Sequence, residues 1–139
     1  MKETRPITSQ VTYLGDLRCN SKHLKSGSEY PTDAPIDNNG KGEAFSPTDT
    51  VAAGLASCMM TVMGIKAADL KVDLAGSTAQ VTKIMAAEPR RISKIEVQLS
   101  MKGNCDKRAQ LILERVAQTC PVMNSLHPDI EKNIEFSWS

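Results

Sequence analysis

The stretch Phe45-Ser-Pro-Thr-Asp-Thr-Val-Ala-Ala-Gly-Leu-Ala-Ser-Cys-Met-Met-Thr-Val-Met63 predicts a long helix with almost no charge. Ser46 suits the N-cap, Pro47 suits the first helical position, and Asp49 complements the helix dipole. Apolar side chains recur at three- and four-residue spacing, and the helix is expected to run to about Asp69. Its predicted inward face comprises Val51, Leu55, Cys58 or Met59, Val62 and Ile65. Because the opposite side is small rather than charged, we expect burial on most sides, at the centre of a domain or dimer.

Strands and shorter helices are predicted on both sides of this helix. In chain order they are strands over 10–17 and 18–24, a loop over 32–42, strands over 72–83 and 92–101, helices over 106–118 and 120–126, and a strand over 130–138. The strand over 72–83 is expected to bend at Gly76. The order predicts an α+β fold, and 139 residues are typical of a single domain, here residues 1–139.

Composition excludes several classes of function. With 17 Lys+Arg against 16 Asp+Glu, the net charge of +1 favours neither nucleic acid nor an acidic membrane as a partner. The N-terminus lacks the apolar run of a signal peptide, and we expect no segment with the ~20 apolar residues of a membrane span. These features predict a cytoplasmic protein with mostly reduced cysteines. Four cysteines without a Cys-x-x-Cys pair, and two histidines, argue against a zinc site. We expect neither a metal nor a cofactor.

Two cysteines lie far apart in the chain in similar apolar, helical settings. Cys58 precedes Met-Met-Thr-Val-Met, and Cys120 precedes Pro-Val-Met-Asn-Ser-Leu. If the fold brings them together, they form a pair that can cycle between dithiol and disulfide. The alternative is structural, because a buried free cysteine behaves as a small hydrophobic residue.

Four passages resemble the OsmC/Ohr family, the osmotically inducible and organic hydroperoxide resistance proteins, and they occur in the family's order. They are Thr32-Asp-Ala-Pro with its glycine-rich loop, Phe45-Ser-Pro-Thr-Asp leading to Cys58, Glu88-Pro-Arg-Arg-Ile, and Cys120-Pro-Val-Met-Asn-Ser-Leu. The resemblance implies an OsmC-like fold in which antiparallel-rich sheets wrap around long central helices in an intertwined homodimer. It also implies a thiol-dependent peroxidase that reduces organic hydroperoxides.

The resemblance further implies roles for three residues. Cys58 corresponds to the peroxidatic cysteine, Cys120 to the resolving cysteine, and Arg18 to the arginine that supports the thiolate. The external reductant is expected to be a dithiol, and in the family a lipoylated protein can supply it. One departure is that Pro47-Thr48 stands where the peroxidases usually have Pro-Glu, so the glutamate that holds the arginine is missing. Asp49 and Glu43 are the candidate substitutes.

Apolar side chains beside the two cysteines predict a pocket for an alkyl hydroperoxide, lined by Met59, Val62 and Met123. Burial of alkyl groups in such a pocket stabilises binding by ~0.8 kcal/mol per CH₂. Two other functions stay open at this point. One is a non-peroxidase that binds an apolar small molecule in the same pocket, and the other is an interaction protein that senses redox state through the disulfide.

Overall fold

The computed structural model describes residues 5–139, and these fall into two compact units that divide between Thr50 and Val51. Each unit is described below by itself. Groups of strands and groups of helices follow one another in an α+β order, as the sequence predicts. The expectation of a single domain over residues 1–139 stays a prediction.

The N-terminal unit contains a three-stranded antiparallel sheet. Its strands are β1 (Ser9–Gly15), β2 (Arg18–His23) and β3 (Glu29–Asp33), in the order β1-β2-β3. Strand β1 is irregular near its end, because the register of its pairing with β2 shifts between Tyr13 and Gly15. Strand β3 is a correction to the sequence analysis, since Thr32 and Asp33 pair with β2 instead of belonging to the predicted loop.

A short 3₁₀ helix, Ile36–Asn38, leads from β3 towards the long helix α1 (Pro47–Leu70). The predicted start of α1 is confirmed by a reciprocal capping pair. The Asp49 backbone N–H donates to Ser46 Oγ at 3.1 Å, and the Ser46 backbone N–H donates to Asp49 Oδ2 at 2.9 Å. These bonds satisfy donors that the first turn leaves without helical partners.

The C-terminal unit contains a second three-stranded sheet of mixed direction. Strand β5 (Arg91–Met101) is central, paired antiparallel with β4 (Thr78–Ala86) and parallel with β6 (Glu131–Trp138). The strand predicted over 72–83 is therefore wrong in its first half. Residues 72–77 form a turn in which Gly76 adopts φ +90°, a conformation that glycine adopts without strain.

Two helices connect β5 to β6, because a parallel pair needs a crossover connection. They are α2 (Lys107–Ala117), capped by Asp106, and α3 (Pro121–Ser125), and both agree with the sequence analysis. The core of this unit lies between one face of the sheet and the helices. Its largest fully buried side chains from α1, β5 and α2 are Leu55, Met59, Met63, Ile95, Leu99, Met101 and Leu113.

The buried face of α1 differs from the predicted one. Leu55 and Met59 are buried as expected, but Val51 is 40% exposed and Ile65 is 67% exposed. Small and flexible side chains take their place, namely Ala52, Ala56, Met63 and Ala67. Alanines on the buried side let the helix approach its neighbours closely, which a count of large apolar residues does not detect.

Among residues 5–139, α1 is long and apolar enough by composition to cross a membrane, with a mean hydropathy of 1.5 over its best 18-residue window. The expectation that no segment meets this criterion is therefore wrong. The core helix of a soluble protein passes the same test, so the finding is weak evidence for a membrane span.

Candidate active site

Cys58 lies in the middle of α1, where the helix fixes its position. Its side chain is half-buried and packs against the hydrophobic core of the C-terminal unit. The neighbouring Met59 belongs to that core and is fully buried. Cys58 therefore combines a rigid backbone with a side chain that retains some access to solvent.

Cys120 occupies the N-cap of α3 and is fully buried. Pro121 follows it at the first helical position, which needs no N–H donor. The Met123 backbone N–H donates a hydrogen bond to Cys120 Sγ at 3.4 Å. The sulfur thus takes the place of the hydroxyl or carboxylate oxygen that usually caps a helix.

The two thiols lie near each other within the C-terminal unit. Burial raises the pKa of the Cys120 thiol, and the neighbouring Cys58 side chain raises that pKa further. The Met123 N–H acts in the opposite direction, because it stabilises the thiolate. Both cysteines are free thiols in the structure, so the pair is present in its reduced form.

The other predicted pocket residues differ in exposure. Val62 and Met123 are half-buried and pack against the core. Each therefore keeps some solvent-accessible surface, Val62 on α1 and Met123 on α3. Met59 is 0% exposed and presents no surface to a ligand in this conformation. The pocket roles of all three residues stay predictions.

Arg18 lies in the N-terminal unit, where two carboxylates hold its guanidinium. Its Nε and Nη2 donate to Asp33 Oδ1 and Oδ2 at 2.6 and 2.8 Å, and Nη2 also donates to Glu43 Oε1 at 3.0 Å. Glu43, one of the two candidate substitutes for the missing glutamate, thus binds the arginine. Asp49 caps α1, and Thr48 Oγ1 is hydrogen-bonded to Ser46 Oγ.

Asp33 is the residue that the sequence analysis missed. It was expected to form a turn, but it is 2% exposed, pairs with Arg18, and accepts a hydrogen bond from the Glu43 backbone N–H at 3.1 Å. The hydrogen bond from Arg18 lowers the pKa of Asp33, and Asp33 in turn raises the pKa of Arg18. The feature that reveals the role of Asp33 is the register of the β2–β3 pair, in which Asp33 lies opposite Arg18.

The remaining two cysteines are separate from the pair. Cys19 is half-buried in β2, within the N-terminal unit, and lies opposite Thr32 on β3. Cys105 precedes α2, and burial raises the pKa of its thiol. Both cysteines serve as internal controls for chemistry at Cys58 and Cys120.

Comparison with known proteins places the chain in a family. Residues 40–135 match the family model described as OsmC-like protein. A crystal structure from Psychrobacter arcticus 273-4, of a protein provisionally named an osmotic stress induced and detoxification response protein, is 50% identical with a TM-score of 0.94, and the match covers 99% of this chain and 100% of that one. A comparison with curated proteins finds no match.

More distant structures share the fold alone. An organic hydroperoxide resistance protein from Elizabethkingia anophelis is 20% identical with a TM-score of 0.75, covering 100% of both chains. One from Legionella pneumophila is 19% identical with a TM-score of 0.70, covering 96% of this chain and 99% of that one. Proteins of this family are generally soluble, which favours the interpretation of α1 as a core helix. From the family match and the 50% identical structure, the chain belongs to the OsmC-like protein family.

Proposed function

We propose that the protein is a thiol-dependent peroxidase that reduces organic hydroperoxides to alcohols. The observation that carries the proposal is that Cys58 and Cys120 pack into the same core of one unit, near enough for Cys58 to affect the pKa of Cys120. Membership of the OsmC-like family and the name of the 50% identical structure support a role in the stress response. Proteins of the same fold that are named organic hydroperoxide resistance proteins support the substrate class.

The reaction begins with attack by the Cys58 thiolate on the terminal peroxide oxygen. The O–O bond breaks, the alkoxide leaves with a proton as the alcohol, and Cys58 becomes a sulfenic acid. The Cys120 sulfur then attacks the Cys58 sulfur, forming a disulfide and releasing the hydroxyl as water. An external dithiol restores both thiols by thiol–disulfide exchange and is itself oxidised.

Burial supports Cys58 as the first nucleophile and Cys120 as the resolving cysteine. Cys120 is fully buried and its pKa is raised, so it is a poor first nucleophile and is hidden from an incoming peroxide. Cys58 is half-buried and therefore more open to the substrate. The nearness of the two thiols suits fast resolution, which protects Cys58 from oxidation beyond the sulfenic acid.

We assign Arg18 to the support of the Cys58 thiolate, within one subunit or across a dimer. A guanidinium keeps its charge at any working pH, and it can also donate to a peroxide oxygen. The carboxylates of Asp33 and Glu43 hold the guanidinium in one orientation. In this proposal Asp33 and Glu43 together perform the function of the family's glutamate, whose position Thr48 occupies in this chain.

We also propose that the working form is a homodimer. The N-terminal sheet exposes large apolar side chains on β1, including Val11 and Tyr13, and α1 exposes Ile65. A second copy that covers such surfaces removes them from water, which favours association. We further expect the protein to act in the cytoplasm, where thiols are kept reduced.

The test is mass analysis of reduced protein after one equivalent of cumene hydroperoxide. We expect a loss of two hydrogens, mapped to a Cys58–Cys120 disulfide, together with one equivalent of alcohol. Cys105→Ser is the matched control, because it removes a thiol outside the pair and should leave the disulfide intact. Free thiols at both positions after treatment would contradict the peroxidase and favour a ligand-binding protein. A disulfide without turnover in the presence of dithiothreitol would favour a redox sensor.

A further inference from the structure

The outward side of α2 carries three cations and two aliphatic side chains on neighbouring rows. They are Lys107, Arg108, Leu111, Ile112 and Arg115, here called the cationic α2 face, and they line a depression of ≈ 570 Å³. Residues three and four apart on a helix are surface neighbours, so the cations flank the aliphatic pair. The face is an amphipathic surface with positive charge, although the whole chain is almost neutral.

These charges are not neutralised within the part of the chain that the structure describes. No acidic side chain among residues 5–139 lies within 4.0 Å of the nitrogens of Lys107, Arg108 or Arg115, whereas Lys94 is paired with Glu96 and Glu131. Glu114 on the same helix accepts a hydrogen bond from the Trp138 indole at 2.8 Å. Leu111 is also 48% exposed, so both charge and apolar area are available to a partner.

The cationic α2 face lies close to Cys120 along the chain. The Gln118 and Thr119 N–H groups donate to the carbonyls of Arg115 and Val116 at 3.2 and 3.0 Å, and they fix the segment that leads to Cys120. Cys120 lies five positions after Arg115, so their Cα atoms are at most ~18 Å apart. A protein seated on this face could therefore reach the disulfide with a flexible arm.

We propose that the cationic α2 face docks an acidic protein that carries the dithiol reductant. This inference rests on the proposed function, because it names the partner of the same redox cycle. Charge complementarity selects an acidic partner, and the aliphatic pair supplies apolar contact at the centre of the interface. A second copy of this chain is disfavoured as the occupant, because a two-fold contact would bring the same cations together.

The reduction step balances with that partner. One partner thiolate attacks Cys58 Sγ, the more accessible sulfur, and Cys120 leaves and takes up a proton. The second partner thiol then attacks the partner's own sulfur in the mixed disulfide and releases Cys58 as a thiol. The two electrons come from the partner, which departs as a disulfide.

The experiment measures disulfide reduction by charged dithiol peptides. Full-length protein is oxidised with diamide, and the two probes are Cys-Gly-Pro-Cys peptides flanked by six glutamates or by six lysines. Each rate is normalised to that with dithiothreitol. At low salt we expect the acidic peptide to react about tenfold faster than the basic one, with the ratio falling towards one in 1 M salt.

Two variants locate the effect. Arg115→Glu should lower the acidic-to-basic rate ratio several-fold, and the triple K107E/R108E/R115E should invert it. The matched control is Lys102→Glu, an exposed cation on the same unit but outside α2, which should keep the wild-type ratio. Circular dichroism checks the fold of each variant. The salt dependence of the acidic-to-basic rate ratio is measured on the wild-type protein, so it tests the proposal even if a variant fails to fold.

Equal rates for the two peptides, or an equal loss of preference in Lys102→Glu, would overturn the proposal. Salt-sensitive co-sedimentation with phosphatidylglycerol vesicles and no peptide preference would overturn it in favour of a lipid surface. Diamide forms the disulfide without a peroxide, so failure of the docking surface and failure of the peroxidase are separately visible.

Discussion

Closing the Cys58–Cys120 disulfide should stabilise the protein strongly against unfolding. The crosslink would close a loop of about 62 residues between α1 and the start of α3. In the chain-entropy treatment, a loop of that length lowers the entropy of the unfolded state by an amount worth about 4 kcal/mol at 25 °C. For a chain of this size the same increment corresponds to a rise in Tm of about 10 to 15 °C.

The full increment is expected only if the disulfide forms without displacing α1 or α3. Cys58 already lies near enough to Cys120 in the reduced structure to affect its pKa, so we expect the required movement to be small. Cys120 is also buried in the reduced form, and its oxidation exposes no additional polar group. Any shortfall from the calculated value therefore measures strain in the oxidised protein.

The assay is urea unfolding of oxidised and reduced protein, followed by circular dichroism at one protein concentration, because a dimer's stability depends on concentration. The Cys19→Ser and Cys105→Ser variants should show the same difference between the two redox states. An oxidised sample with a complete disulfide and no shift in midpoint would refute the entropic reasoning. A shift that persists in Cys58→Ser would refute the pairing itself.

Three further outcomes follow from burial and charge. Leu113→Ala should cost about 2–5 kcal/mol in urea unfolding, because Leu113 is fully buried, whereas the half-exposed Leu111→Ala should cost far less. Ser46→Ala removes the hydroxyl half of the capping pair of α1 and should cost about 1 kcal/mol, most of which Ser46→Asn should restore. Arg18 lowers the pKa of Asp33, so this carboxylate stabilises the fold above about pH 4 and loses that effect as the pH falls through its folded pKa. The free energy of unfolding should therefore fall less on acidification in Asp33→Asn than in the wild type.

The element order could be predicted from the sequence because its signals are local. Capping residues mark the start of α1, and proline after Cys120 marks α3. The family's motif order associates Cys58 with Cys120, and in the structure both lie in the C-terminal unit, where Cys58 affects the pKa of Cys120. These features depend on short-range chemistry or on an ordered set of motifs.

The remaining details depend on tertiary pairing, which a single sequence does not encode locally. Asp33 stands beside turn-forming residues, and only the register of β3 against β2 reveals its bond to Arg18. The inward face of α1 was misjudged because Ala52 and Ala67 are buried by close packing, whereas Ile65 is exposed. The late start of β4 reflects the turn at Gly76, where alternating residues such as Leu74 imitate a strand.

The sulfur cap of α3 gives the redox cycle a spectroscopic marker. Cys120 Sγ accepts the Met123 N–H in the dithiol state, and its electron density falls when it bonds to a second sulfur. The Met123 amide should then move upfield in a proton–nitrogen spectrum and exchange with deuterium faster. A single backbone resonance would thereby count oxidised and reduced molecules during turnover, without any added dye.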